Sequence, residues 1–75
     1  MARTVLDLKG LLCPIPVLRA NKAMKALQPG DDLQVAVTDK AAPADFVAYC
    51  KTSGHEHLGC RDDAGTFTIV LRKTA

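Results

Sequence analysis

A chain of 75 residues is long enough for one small domain and leaves no room for a deep enclosed pocket, so chemistry is expected at its surface. Hydrophobic residues make up 48% and charged residues 24%, which indicates a globular protein and not a disordered one. The formal net charge of +2 is too weak to indicate nucleic-acid binding without a clustered basic patch.

The three cysteines cannot all pair within one chain, which disfavours a disulfide framework and favours a reducing compartment. Neither the N-terminal residues nor any later run is apolar over the length of a signal peptide or a membrane span. No repeat, linker or low-complexity stretch divides the chain. We therefore expect residues 1–75 to form a single soluble domain in the cytoplasm, with no insertion into a membrane.

The first half of the chain predicts a strand, a helix and a second strand. Residues 5–8 form a short strand pattern that ends at Lys9-Gly10. A helix is predicted over residues 14–27, because apolar residues recur there at spacings of three and four: Val17, Ala20, Met24 and Leu27. After a turn over residues 28–31, apolar and polar residues alternate in a second strand that carries Leu33, Val35 and Val37 on one side.

The second half predicts a helix followed by two strands. Pro43 opens a helix that runs to about Thr52 and has an apolar side made of Phe46, Val47 and Cys50. Gly54 suits the C-cap of this helix, and Leu58 and Cys60 suggest a short third strand. Residues 62–65 are typical of a turn, and residues 66–72 predict a strand with one face formed by Phe67, Ile69 and Leu71.

The order of elements, βαβαββ, predicts an α/β fold. Two helices cover only one face of a four-stranded sheet, so we expect a two-layer sandwich. Right-handed crossovers make the first strands parallel and the last two strands form a hairpin, which gives a mixed sheet.

The segment Cys13-Pro14-Ile15-Pro16 places a thiol where a strand leads into a helix. Proline at the first helical position is pre-set for helical φ, and Pro16 stays within the first turn, where no N–H donor is needed. Gly10 allows a sharp turn just before the thiol. Cys13 then lies at or beside the N-cap, where unpaired N–H groups favour the thiolate. We expect a reactive thiol with a pKa below those of Cys50 and Cys60; the alternative is a small buried apolar residue.

Three basic residues, Arg19, Lys22 and Lys25, lie on the helix that begins beside Cys13 but away from its apolar stripe. One interpretation is a solvated helix face that contributes only to stability. The other is a docking surface that steers an acidic partner toward the thiol. RNA binding by these residues is disfavoured, because the chain lacks exposed aromatic residues on which bases would stack.

The other polar candidates are interpreted as structural. His55 and His57 would share one face of a strand and Cys60 would lie on the other, so a closed zinc site is disfavoured for want of a fourth ligand. Cys50 and Cys60 are interpreted as core or partly buried thiols. Asp39 is expected to end a strand and Asp45 to favour the first turn of the second helix, with catalysis the weaker alternative.

The motif around Cys13 resembles the signature of the TusA (SirA-like) sulfur-carrier family. That signature is a Cys-Pro-x-Pro motif preceded by an Asp-x-x-Gly turn, here Asp7 to Gly10. The similarity covers nearly the whole chain and extends through Gln28-Pro29-Gly30-Asp31, Asp39 with Asp45, and Ser53-Gly54-His55-Glu56.

The resemblance implies a sulfurtransferase that carries sulfur as a persulfide on Cys13. It implies a cysteine desulfurase or rhodanese-like protein as donor and a downstream acceptor protein, with tRNA thiolation, cofactor sulfuration or sulfur oxidation as destinations. We expect no cofactor, no metal and no direct contact with nucleic acid. Ile15 departs from the acidic residue that many members of the tRNA-thiolation branch carry between the prolines, so the acceptor stays open.

Two further functions stay open at this point. The chain resembles short family members that serve as accessory subunits of thiosulfate-uptake membrane systems, which would make a membrane transporter the partner and would still need Cys13. A regulatory or RNA-binding module is the third interpretation, because small domains with this order of elements also bind nucleic acid.

Overall fold

A computed structural model of the protein describes residues 2–74. The six elements follow in the predicted order: β1 Arg3–Asp7, α1 Ile15–Lys25, β2 Asp32–Val37, α2 Ala42–Ser53, β3 Glu56–Asp63 and β4 Thr66–Arg72. The fourth strand has the predicted bounds, whereas α1 is shorter at both ends than the predicted residues 14–27. Neither helix of the described chain has the length and apolar character needed to cross a membrane.

The four strands form one mixed sheet in the order β1-β2-β4-β3. β1 and β2 run parallel, and β4 runs antiparallel to both of its neighbours, as the predicted crossovers and hairpin require. Because β1 and β2 are parallel, their carboxyl ends reach the same edge of the sheet. The loop that leads into α1 therefore meets the loop that leads into α2.

The two helices cover one face of the sheet, and the core lies between the layers. Its fully buried side chains come from both layers: Leu33, Val35, Val37, Ile69 and Leu71 from the sheet, and Ala20, Met24, Ala42 and Phe46 from the helices. The predicted two-layer α/β sandwich is confirmed. The prediction that Val47 belongs to the apolar side of α2 is wrong, because its side chain is 41% exposed while that of Phe46 is fully buried.

Helix α1 ends earlier than the sequence pattern predicts because its last turn tightens. The N–H groups of Ala26 and Leu27 donate to carbonyls three residues back, Ala23 and Met24, at 3.1 Å each. Lys73 Nζ then donates to the carbonyl oxygens of Met24 and Leu27 at 2.8 Å each. A lysine that follows β4 thus satisfies the C-terminal carbonyls of α1 and ties the helix to the end of the chain.

Strand β3 departs most from its predicted form. It is longer than the pattern around Leu58 suggests, and a bulge between His57 and Gly59 shifts its register against β4. His57 therefore pairs with Leu71 and Cys60 pairs with Ile69, so the two residues do not lie on opposite faces as predicted. Cys60 is exposed, because β3 is an edge strand that the helices cover only in part; the prediction of a partly buried thiol is wrong there.

The neighbouring residues Phe46 and Val47 allow a matched test of the core. We expect Phe46→Ala to lower the free energy of unfolding by about 3–5 kcal/mol, because it leaves a cavity among fully buried side chains. We expect Val47→Ala to change it by about 0.5 kcal/mol or less, as for other surface substitutions. Urea unfolding of the two variants measures both values, and equal losses would contradict the placement of α2.

Candidate functional site

The chain turns sharply between β1 and the thiol, and two contacts with the β2 side fix that turn. Leu8 N–H donates to the carbonyl of Ala36 at 2.8 Å, which continues the sheet by one residue. Gly10 has a φ of +82°, and its N–H donates to Thr38 Oγ1 at 2.9 Å. The positive φ accounts for glycine at this position, as the sequence predicted.

Cys13 lies immediately before the start of α1 and is exposed. The helix begins at Ile15 with Pro14 at the N-cap, and Pro16 is buried in the first turn. The peptide bond between Cys13 and Pro14 is cis. The prediction of a thiol beside the helix N-terminus is confirmed, although Pro14 lies one position earlier than predicted.

Asp39 binds the backbone of the thiol residue. Its Oδ2 accepts a hydrogen bond from Cys13 N–H at 2.6 Å, and its Oδ1 accepts one from Ala41 N–H at 2.9 Å. These two backbone N–H groups hold the pKa of the Asp39 carboxyl below its usual range. One carboxylate therefore joins the loop before α1 to the loop before α2.

Asp45 binds the sulfur itself. It lies in the first turn of α2, and Cys13 Sγ–H donates a hydrogen bond to its Oδ2. This hydrogen bond raises the pKa of the Cys13 thiol, and desolvation and the negative charges of Asp45 and Asp39 raise it further.

The field of the α1 N-terminus therefore does not lower the pKa of Cys13 below its ordinary value. Two carboxylates that come from elsewhere in the chain oppose the N–H groups of α1. The pKa values of Cys50 and Cys60 are raised as well, by desolvation in both cases and at Cys60 also by the negative charge of Asp62, so the predicted order of the three pKa values stays a prediction. The structural roles expected for Asp39 and Asp45 hold, but both residues also act on the thiol.

A shallow groove of about 360 Å³ runs between the two helices, with the thiol in its wall. Its lining residues are mostly apolar: Cys13, Pro14 and Val17 on one side, and Asp45, Ala48, Tyr49 and Thr52 on the other. Tyr49 Oη donates to Asn21 Oδ1 at 3.1 Å, which joins the helices further along the groove. The groove is open to solvent and is the size of a few side chains.

Three exposed apolar side chains lie close to Cys13 in the sequence. Leu12, Ile15 and Leu18 are 72%, 40% and 57% exposed. Sequence reasoning missed this apolar rim, which we define as these three residues. The available signal was the position of Leu12 in the loop before α1 and of Ile15 and Leu18 outside the stripe that α1 buries in the core. A cluster of exposed apolar residues beside a reactive group is typical of an interaction surface.

The basic residues predicted for docking are all exposed on α1. Measured along the helix axis from Ile15, Arg19 lies about 6 Å away and Lys25 about 15 Å away. Within residues 2–74, no acidic side chain forms an ion pair with Arg19, Lys22 or Lys25. Lys22 and Lys25 occupy the last turn, where they also stabilise the helix.

The structure does not bring the other candidates to the thiol. Cys50 is buried within the core, as predicted. His55 Nδ1 accepts a hydrogen bond from Thr74 N–H at 3.4 Å, just after the C-terminal end of β4. In the described part of the chain, no three His, Cys, Asp or Glu side chains are grouped closely enough to hold a metal ion.

The fold and the site together define a small α/β protein organised around one exposed thiol at the start of a helix. A profile of the family described as sulfurtransferase TusA matches residues 4–73, and the chain belongs to that family.

Relatives of known sequence and structure agree with this assignment. A provisionally named sulfur carrier protein of Neisseria meningitidis is 46% identical over 72 residues, which cover 96% of this chain and 97% of the relative. The sulfur carrier protein TusA of Allochromatium vinosum is 38% identical over 69 residues, covering 92% and 91%. A crystal structure of a SirA-like protein from Desulfitobacterium hafniense superposes with a TM-score of 0.81 at 25% identity, and each chain is covered fully. These relatives support a sulfur-carrier role.

The contacts of Asp39 predict how stability depends on pH. The folded-state pKa of Asp39 is lower than the unfolded value of about 3.9. The ionised Asp39 carboxylate therefore contributes fully to the free energy of unfolding well above about pH 3.9, and this contribution is lost as the pH falls through the folded-state pKa. We expect wild type to be more stable than Asp39→Asn at neutral pH, and the difference to shrink below about pH 4. Urea unfolding of both proteins at several pH values measures it; a difference that grows on acidification would contradict this assignment.

Proposed function

We propose that Cys13 carries sulfur as a persulfide between a donor protein and an acceptor protein. The observation that carries this proposal is the position of Cys13, an exposed thiol beside the N-terminus of α1 in a member of the sulfurtransferase TusA family. Three free cysteines fit a reducing compartment, and we place the activity in the cytoplasm.

The transfer follows the chemistry of thiol–disulfide exchange. The Cys13 thiolate attacks the terminal sulfur of a persulfide on the donor, a new S–S bond forms on Cys13, and the donor cysteine leaves as a thiolate. In the second half, an acceptor thiolate attacks the same terminal sulfur and Cys13 leaves. Sulfur moves without net oxidation or reduction, and the N–H groups at the start of α1 favour the anionic persulfide.

The proposed donor is a cysteine desulfurase or a rhodanese-like protein, and the proposed acceptor is a second protein in a sulfur relay. The acceptor determines the final product of the relay, which is thiolated tRNA, a sulfurated cofactor or oxidised sulfur. The exposed apolar rim suits a protein partner, because the centre of a protein interface is apolar and aromatic and its margin is polar. Arg19, Lys22 and Lys25 would form part of such a margin.

The central test is the mass of each cysteine-containing peptide after incubation with a cysteine desulfurase and cysteine. We expect the peptide that contains Cys13 to gain one sulfur atom, and the gain to disappear when dithiothreitol is added. Cys13→Ser should abolish loading, because the reacting atom is removed.

Cys50→Ser and Cys60→Ser are the matched controls, since each removes a thiol that lies away from the α1 N-terminus. Both variants should load Cys13 as wild type does. Loading of the Cys13→Ser variant on either remaining cysteine would contradict the proposal.

The basic residues of α1 predict a salt-dependent rate of loading. Changing Arg19, Lys22 and Lys25 together to Glu should slow transfer from the donor at low ionic strength, mainly through slower association. At about 0.15 M salt the Debye length is about 8 Å, so the effect should shrink as salt is added. Transfer rates of the two proteins at low and high salt measure this dependence.

A control charge reversal at Lys40, an exposed residue in the loop before α2, tests whether position matters beyond net charge. When the change in transfer rate is divided by the number of charges reversed, Lys40→Glu should show a smaller change than the triple variant. The docking interpretation would be contradicted if salt did not alter the wild-type transfer rate and the triple variant transferred sulfur normally. The three residues would then be only a solvated helix face.

A further inference from the structure

The thiol of Cys13 lies beside the carboxylates of Asp39 and Asp45. Asp45 Oδ2 accepts its S–H, and Asp39 Oδ2 accepts the N–H of the same residue. These are the charged groups that act on the sulfur, one from α2 and one from the loop after β2. Within residues 2–74, the ion pairs formed by acidic residues involve Asp7, Asp32 and Asp63, and neither Asp39 nor Asp45 takes part in one.

This arrangement is unusual for a nucleophile, because nearby negative charge disfavours the thiolate. Reactive cysteines are usually found beside a cation or another positive field. Here the field of the α1 N-terminus is opposed by the carboxylate that binds the sulfur directly. A thiol held in this way would react slowly, since small electrophiles and oxidants react with the thiolate and not with the thiol.

The groove between the helices offers a way to remove that protection. Cys13 and Asp45, which are hydrogen-bonded to each other, both line it, so a segment that enters the groove reaches the sulfur and the carboxylate together. A Lys or Arg side chain that pairs with Asp45 would occupy the oxygen that now accepts the S–H and would offset the negative charge.

We propose that Asp45 determines which donors Cys13 accepts: it holds the thiol protonated in the free protein, and a donor releases the thiolate by placing a cationic side chain against the Asp45 carboxylate. This inference rests on the proposed sulfur-carrier function. The proton of Cys13 passes to solvent, the thiolate attacks the terminal sulfur of the donor persulfide, and the departing donor thiolate takes up a proton. No oxidant or reductant is consumed.

The first arm of the test removes the charge of Asp45 and keeps its shape. Asp45→Asn, wild type and Glu56→Gln are treated with iodoacetamide over a range of pH, and alkylation of Cys13 is followed by peptide mass. We expect Asp45→Asn to react about three- to ten-fold faster than wild type at neutral pH, because one unit of thiol pKa is about ten-fold in thiolate. Its pH profile should move to lower pH.

Glu56→Gln is the matched control, because it makes the same change in net charge at the other end of the sheet, where Glu56 pairs with Arg72. It should alkylate as wild type does. Asp45→Ser is a second neutral variant with a short polar side chain, and circular dichroism verifies that both Asp45 variants are folded. Alkylation of the folded Asp45 variants at the wild-type rate, or more slowly, would overturn the proposal.

The second arm measures the donor's part in releasing the thiolate, with a cysteine desulfurase and cysteine as the probe. The donor itself neutralises Asp45 in wild type, so removing the charge should give no further gain in sulfur transfer. We therefore expect Asp45→Asn to be alkylated faster than wild type but to accept sulfur from the desulfurase at about the wild-type rate. The ratio of transfer rate to alkylation rate should then be lower in Asp45→Asn than in wild type. An equal rise in both rates would overturn the donor's part in the proposal. If wild-type Cys13 gains no sulfur at all, the sulfur-carrier function fails, while the alkylation arm still decides whether Asp45 protects the thiol.

Discussion

The parallel pairing of β1 with β2 is the constraint on which the site depends. Register places Asp7 beside Ala36, so both strands end at the same edge and the loops that follow them meet. Each loop leads into a helix that returns across the same face of the sheet. The N-termini of α1 and α2 are thereby brought together, and residues far apart in sequence, Cys13 and Asp45, come into hydrogen-bonding contact.

Two opposing fields then set the chemistry of the thiol. The N–H groups at the start of α1 favour negative charge on sulfur, whereas the carboxylates of Asp39 and Asp45 disfavour it. Asp39 also fixes the backbone of Cys13, so the sulfur is held at a defined place and not on a free loop. A carrier needs this balance, because its sulfur must stay exposed to partners and yet remain unreactive between encounters.

Most of the fold could be predicted from the sequence because its signals are local. The alternation in residues 66–72 and the helix stripe through Ala20 and Met24 reflect burial on one face. The structure buries Ile69, Leu71, Ala20 and Met24 as expected, and Phe67 in part. The bulge at His57 and Gly59 was missed, since register depends on a partner strand. The raised pKa of Cys13 was missed for the same reason: Asp45 is 32 residues away, and only the packing of α2 against α1 brings it to the sulfur.

The central claim, that Cys13 both takes and gives sulfur, is tested most directly by a chase with radioactive sulfur. The protein is loaded from labelled cysteine through a desulfurase, separated from the donor, and mixed with an excess of a small acceptor thiol. The account predicts that the label on Cys13 leaves as the acceptor becomes labelled, and that the freed Cys13 thiol can be loaded again. Label that stays on the protein, or that resides on Cys50 or Cys60, would contradict it.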